Sequence, residues 1–168
     1  MEQDRLAELF RGGARPRCYV ASPLGFSETT RDYYSTRYLT ELKEHIEPVD
    51  PWSLSHPEEF AAANAEGRER EFAIEVGRRN ASAISSAQLL IAHFDGQEVD
   101  SGTASEVGYA AAGGLPCLAI RNDLRVCGEA GMSVNLQLEA FVVLSGGFVA
   151  KSLSELGVPL RNVAPAAK

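Results

Sequence analysis

The sequence predicts an α/β fold, a five-stranded parallel sheet with helices on both faces, and three observations lead there. Short apolar runs alternate with stretches of helical periodicity. Turn pairs such as Asp95-Gly96 and helix-ending glycines such as Gly113 separate them. No repeat, low-complexity tract or linker interrupts the 168 residues, a length that suits one domain. Strands joined through helices give right-handed crossovers and a sheet covered on both sides.

Residues 1–14 read as a peripheral segment whose helix ends at Gly12-Gly13. Arg17 to Ser22 is the first strand, stopped by Pro23 and Gly25. Residues 28–46 carry a helical pattern through Tyr34, Tyr38, Leu39 and Leu42. Glu47 to Trp52 is a short extended segment, limited by Pro48 and Pro51. Residues 58–86 are helical with a break near Gly67. Within them Phe72, Val76, Asn80 and Ile84 share one face, and Asn80 is the polar exception. Gln88 to Phe94 is a strand, Thr103 to Gly113 a helix of small residues, and Pro116 to Arg121 a strand. A polar loop over 122–133 leads to a helix at 135–141, a last strand at 148–150, a short helix and a tail over 160–168.

The formal net charge of -7 disfavours a nucleic acid polymer as partner. No apolar run approaches the roughly 18 residues that span a bilayer, so no membrane is expected. The acidic start, Met1-Glu2-Gln3-Asp4, does not resemble a signal peptide, and the expected location is cytoplasmic. Cys18, Cys117 and Cys127 lack the spacing of a disulfide framework or zinc site, and His45, His56 and His93 lack metal-ligand spacing. Neither a metal nor a cofactor is expected. Cys18 and Cys117 lie in apolar runs and read as small buried hydrophobes.

In a parallel sheet of this kind, ligands bind at the carboxyl ends of the strands, here after residues 22, 94 and 121. The richest segment follows the strand at 88–94. From Asp100 to Glu106 it concentrates acidic and hydroxylic side chains, and Gly102 allows a ligand close to the backbone. Glu106 is expected in the first turn of the next helix, where free N–H groups and the dipole favour an ionised carboxylate suited to nucleophilic attack. Thr103-Ala104-Ser105-Glu106 equally matches a helix-capping box, in which the glutamate only satisfies a backbone donor. Spacing does not choose between them.

The string Leu90-Ile91-Ala92-His93-Phe94-Asp95-Gly96, followed by Asp100-Ser101-Gly102-Thr103 with Glu106, Gly108, Tyr109 and Ala110, resembles the nucleoside 2-deoxyribosyltransferase family. Tyr19-Val20-Ala21-Ser22-Pro23-Leu24 and Val134-Asn135-Leu136-Gln137-Leu138-Glu139 extend the likeness over about residues 17–151. The resemblance implies a flavodoxin-like fold and a homo-oligomer acting on a deoxynucleoside and a free nucleobase. It implies that Glu106 attacks the anomeric carbon and holds the sugar as an ester. Tyr19 would orient Glu106, and Asp100 would bind the sugar hydroxyls, chiefly the 5'-hydroxyl. Asn135 would complete the site of a neighbouring subunit. Related enzymes often carry an aspartate near the leaving base where this chain has Asn80. An amide hydrogen-bonds a base but delivers no proton, which leaves Asp95, Asp100 or water for that task. Nucleotide-cleaving relatives place a neutral hydroxyl residue near Asp100, so a carboxylate there implies a free nucleoside substrate.

Phe26 and Trp52 are candidates to stack on a base, with core packing as the alternative. Arg68, Arg70, Arg78 and Arg79 read as a solvated or intersubunit helix face. Two other functions fit the same motif: a nucleoside or nucleotide N-glycosidase using water as acceptor, and a non-catalytic nucleotide sensor in which Glu106 is a cap.

Overall fold

The computed structural model describes residues 2–163. Five strands, β1 (Arg17–Ala21), β2 (Glu47–Val49), β3 (Leu89–His93), β4 (Cys117–Ile120) and β5 (Val149–Ala150), form one sheet in the order β2-β1-β3-β4-β5. All four pairings are parallel, and the order is that of the flavodoxin-like fold. Tyr19 pairs with Val49 on one side and Leu90 on the other, so register places it mid-sheet.

Strand alternation divides the core in two. Cys18 and Val20 of β1, Leu89 and Ile91 of β3, and Leu118 and Ile120 of β4 point to one face. Covering them are α1 (Glu2–Leu9), the turn of π-helix (Tyr34–Tyr38) that continues the unburied α2 (Glu28–Tyr33), α3 (Leu39–Lys43) and α8 (Leu153–Val163). Tyr19, Ala21, Leu90, Ala92, Cys117 and Ala119 point to the other face. There they meet α5 (Glu69–Ser85), α6 (Ser101–Ala112) and α7 (Leu136–Leu144). Cys18 and Cys117 are fully buried, as expected, and burial pushes the Cys117 thiol up to about 11.

Four expectations need correction. The N-terminal segment is not peripheral: Phe10 is buried, with Leu6 and Leu9 packed on the same core. The helix over 28–46 is continuous only through its π turn, which brings Tyr34 and Tyr38 both inward. Arg79 is no free surface charge, because its guanidinium bonds Glu59, Glu75 and the Leu54 carbonyl. It thereby joins α5 to α4 (Pro57–Ala65), which is separated from it at Gly67, a residue at φ +66. Finally, α8 continues to Val163 through residues expected in the tail, because Leu156 and Leu160 bury against the core; residues 164–168 lie outside the described residues.

Among the described residues no helix is long and apolar enough to cross a membrane. Nor does any group of three or more His, Cys, Asp or Glu among them suit a metal ion.

Candidate active site

Next to the carboxyl end of β1 the protein opens a cavity of about 420 Å³. One wall is polar and comes from the start of α6, with Asp100, Ser101, Gly102, Thr103 and Glu106. The opposite wall is mostly apolar and is built by Pro51 and Trp52 of a 3-10 turn (Pro51–Ser53), Ser55, Phe60 of α4, and Val76 and Asn80 of α5. Phe26 closes one side from the loop after β1, beside Ser22.

The two walls arise from local capping chemistry. Asp100 is extended, and its Oδ2 accepts the Thr103 N–H at 2.9 Å and the Thr103 hydroxyl at 3.2 Å. Asp100 therefore caps α6, not Thr103, and the helix begins two residues earlier than expected. Glu106 consequently lies beyond the first turn, away from the orphan N–H groups. The capping-box alternative fails at this point. So does the expectation that the helix end ionises Glu106.

Glu106 instead meets Tyr19, whose hydroxyl donates to Glu106 Oε1 at 2.6 Å. Tyr19 is 0% exposed, so the bond is made in a poorly solvated setting. Burial raises the Glu106 pKa above the usual carboxylate range; the Tyr19 bond opposes the rise, and the Asp100 charge adds to it. Burial, and then the neighbouring Glu106 charge, push the Tyr19 hydroxyl far up, which keeps it a proton donor at ordinary pH.

On the apolar side the Phe26 and Trp52 rings lie 4.6 Å apart, edge to face at 75°. They are 71% and 41% exposed, so neither is core. Trp52 is held at its backbone by Asp50, which Tyr34 braces in turn. Its N–H donates to Asp50 Oδ1 at 3.1 Å, and the same oxygen accepts the Tyr34 hydroxyl at 2.7 Å. A Cβ on Gly25 would stand 2.3 Å from the Trp52 indole, so only glycine permits the ring this position. Deeper in the cavity, Asn80 Oδ1 and Ser55 Oγ are shielded from solvent without a hydrogen-bond partner.

The structure thus gathers Glu106, Asp100, Gly102, Asn80, Phe26 and Trp52 at one cavity, with Tyr19 buried and bonded to Glu106 without lining it. It does not bring Asp95 there. Asp95 Oδ1 accepts the N–H groups of Asn122 and Asp123, and Oδ2 lies 3.5 Å from His93 Nε2, so this carboxylate ties the β3 and β4 ends together. Asn135 is exposed, caps α7 by accepting the Gln137 N–H at 3.0 Å, and lines no part of the cavity of its own chain.

Ser22, Asp50, Ser55 and Phe60 escaped the sequence reading. Asp50 carried a signal, since aspartate before Pro51 is a strong start for a short helical turn. Ser22 carried one as well, since it stands at the carboxyl end of the first strand, whereas Ser55 and Phe60 carried none.

Residues 18–141 match the family model described as nucleoside 2-deoxyribosyltransferase. No curated protein matches the chain. Among solved structures it is similar to a conserved protein from Enterococcus faecalis V583, with 23% identity and a TM-score of 0.60 over 89% of this chain and 99% of that one. It is similar also to a 2-deoxyribosyltransferase from Bacillus psychrosaccharolyticus, with 21% identity and a TM-score of 0.60 over 83% and 89%. A third likeness is to the Clostridium botulinum CMP N-glycosidase BcmB, with 15% identity and a TM-score of 0.50 over 88% and 97%. At such identities the structural likenesses speak for the fold alone. The family match, running from β1 into α7 and across every wall of the cavity, speaks for more: the chain belongs to the nucleoside 2-deoxyribosyltransferase family.

Proposed function

We propose that the protein moves 2-deoxyribose between nucleobases by breaking and remaking the N-glycosidic bond of 2'-deoxynucleosides. One observation carries the reading: a carboxylate, Glu106, held by the Tyr19 hydroxyl at a cavity with one polar and one aromatic wall. With Oε1 bound to Tyr19, Glu106 Oε2 is the oxygen that attacks the anomeric carbon. The nearby negative charge stabilises the oxocarbenium-like state and then traps it as an ester. A second base attacks the ester from the vacated side, so configuration is retained and kinetics are ping-pong. No metal or cofactor enters the scheme.

Asp100 is assigned to the sugar. Its Oδ2 is committed to Thr103, which leaves Oδ1 to accept a 5'-hydroxyl. A carboxylate facing a 5'-phosphate in a poorly solvated cavity is repulsive, so the substrate is a nucleoside and not its monophosphate. Gly102 lets the sugar approach the helix, and Phe26 and Trp52 together flank the base. Asn135, on the outer surface beside the exposed Leu136, is assigned to a neighbouring subunit's site in a homo-oligomer.

The test is incubation of deoxyinosine with adenine, followed by chromatography. New deoxyadenosine is expected, and deoxyinosine 5'-monophosphate is expected to react at least about tenfold more slowly, the equivalent of roughly 1.4 kcal/mol. Deoxyribose release that ignores added adenine would favour the alternative, an N-glycosidase. Phe26 favours that alternative, since its 71% exposure leaves the cavity of a single chain open to water.

Tyr19→Phe gives a pH prediction. Glu106 must be ionised to attack, so kcat falls as pH drops through its raised pKa. Removing the Tyr19 donor removes the one influence that lowers this pKa. The acid limb of the pH–rate profile is therefore expected to move to higher pH. At the optimum kcat should fall about 10- to 100-fold, matching roughly 1.5–3 kcal/mol for a hydrogen bond to a charged group. An unmoved acid limb would remove Tyr19 from this role.

A further inference from the structure

The apolar wall of the cavity contains no acid. α4, α5, the 3-10 turn and the bend after it contribute Pro51, Trp52, Ser55, Phe60, Val76 and Asn80, none of which is a carboxylic acid able to give a proton. The titratable groups nearest in the chain are committed elsewhere. Asp50 accepts the Tyr34 hydroxyl and the Trp52 backbone N–H and lines no part of the cavity, Glu59 pairs with Arg79 and Glu75 with Arg78 and Arg79, while His56 is an exposed helix cap. Across the cavity Asp100 is bound by Thr103 and Glu106 by Tyr19, both on the polar side.

Two polar atoms nonetheless stand on the apolar side without partners, Asn80 Oδ1 and Ser55 Oγ. Buried polar atoms normally have hydrogen-bond partners, and an unpaired pair in one cavity wall points to a ligand edge that supplies them. Trp52 and Phe26 on the same side suit the flat face of a base. Resting on the proposed function above, we infer that Asn80 and Ser55 hold the edge of the departing base by neutral hydrogen bonds only, and that the protein selects substrates by how well the base leaves unprotonated.

The C1'–N bond breaks with its electron pair passing to the base nitrogen, and the C1'–Oε2 bond to Glu106 forms. The Ser55 hydroxyl donates to the base as negative charge grows on it, Asn80 Oδ1 accepts an N–H of the base edge, and the base takes its proton from water after departure. In the reverse step the incoming base gives its N–H proton to water before attacking C1'. Rate therefore depends steeply on the acidity of the free base, since no protein acid offsets poor leaving ability. The favoured substrates are deoxynucleosides of the more acidic purines and pyrimidines.

The experiment is single-turnover base release from a series of 2'-deoxynucleosides whose bases carry increasingly electron-withdrawing substituents. It is run for wild type, Asn80→Asp and Asn80→Ala, with melting curves confirming fold. Wild type should show a steep rise in rate with base acidity. Asn80→Asp, which places an acid at the base, should flatten that slope, raising the poorest leaving group about 100-fold and the best hardly at all. Asn80→Ala should slow every member while keeping the slope. A flat wild-type series, or an Asn80→Asp series as steep as wild type, would overturn the inference while leaving the proposed function standing. No base release from any member would overturn both.

Discussion

Glu106→Gln is expected to reduce base exchange by at least about a thousandfold, the scale on which loss of a covalent nucleophile is felt. Glutamine keeps the shape and can accept the Tyr19 hydroxyl, so the substitution removes charge and little else. Stability should move in the opposite direction. Glu106 has its pKa raised by folding, so its contribution to stability is fully present below the unfolded pKa and is lost as pH rises through the folded one. At neutral pH the buried charge is a cost, and the glutamine variant is expected to melt higher than wild type. A sensor or a structural cap predicts the reverse pattern, with binding kept and stability lowered. Chromatography and a melting curve on one preparation separate the two.

Gly147→Ala is expected to damage the fold more than any substitution at the cavity. A Cβ on Gly147 would lie 1.7 Å from the Cys117 carbonyl oxygen and 2.7 Å from its carbon. Those are backbone atoms at the start of a central, fully buried strand, so no side-chain rotation relieves the clash. Either β5 leaves the sheet edge or β4 shifts beside β3. The expected loss is at least about 3 kcal/mol, a melting temperature roughly 6–12 °C lower for a chain of this size. The contrasting case is Gly77→Ala in α5, where an added Cβ meets nothing within 4 Å. That change should raise stability by about 0.5–1 kcal/mol through helix propensity. Similar effects for both glycines would contradict the strand packing described above.

The fold was legible because burial on both sheet faces writes itself into sequence as short apolar runs. Leu89 to His93 is five consecutive buried residues, and such a run has few alternatives once Asp95-Gly96 ends it. The helix break at Gly67 was equally plain. Boundaries were harder where a side chain competes for the cap. Asp100 and Thr103 both qualify as N-caps, and the choice between them turned on Asp100 reaching the Thr103 N–H. That choice decides whether Glu106 serves its own helix or faces a cavity, which no local pattern encodes.

The bond from Tyr19 to Glu106 spans 87 residues and came into view only through family resemblance. Trp52 and Phe26 could be named but not placed, because exposed and buried aromatics look alike in a sequence. Their position depends on Gly25 giving way and on Asp50 gripping the turn. Asp95 lies outside the lining of this cavity for a related reason. A carboxylate at a strand end suits catalysis and loop bracing alike, and here the N–H groups of Asn122 and Asp123 claim it.

The ester on Glu106 can be sought directly by mixing the protein with excess deoxyinosine, quenching in acid within one turnover, and reading the peptides by mass spectrometry. One deoxyribosyl group should appear on the peptide containing Glu106, vanish when adenine is added before the quench, and be missing in Glu106→Gln. Exchange that proceeds at full rate with no sugar on that peptide, or with the sugar on another residue, would contradict the assignment.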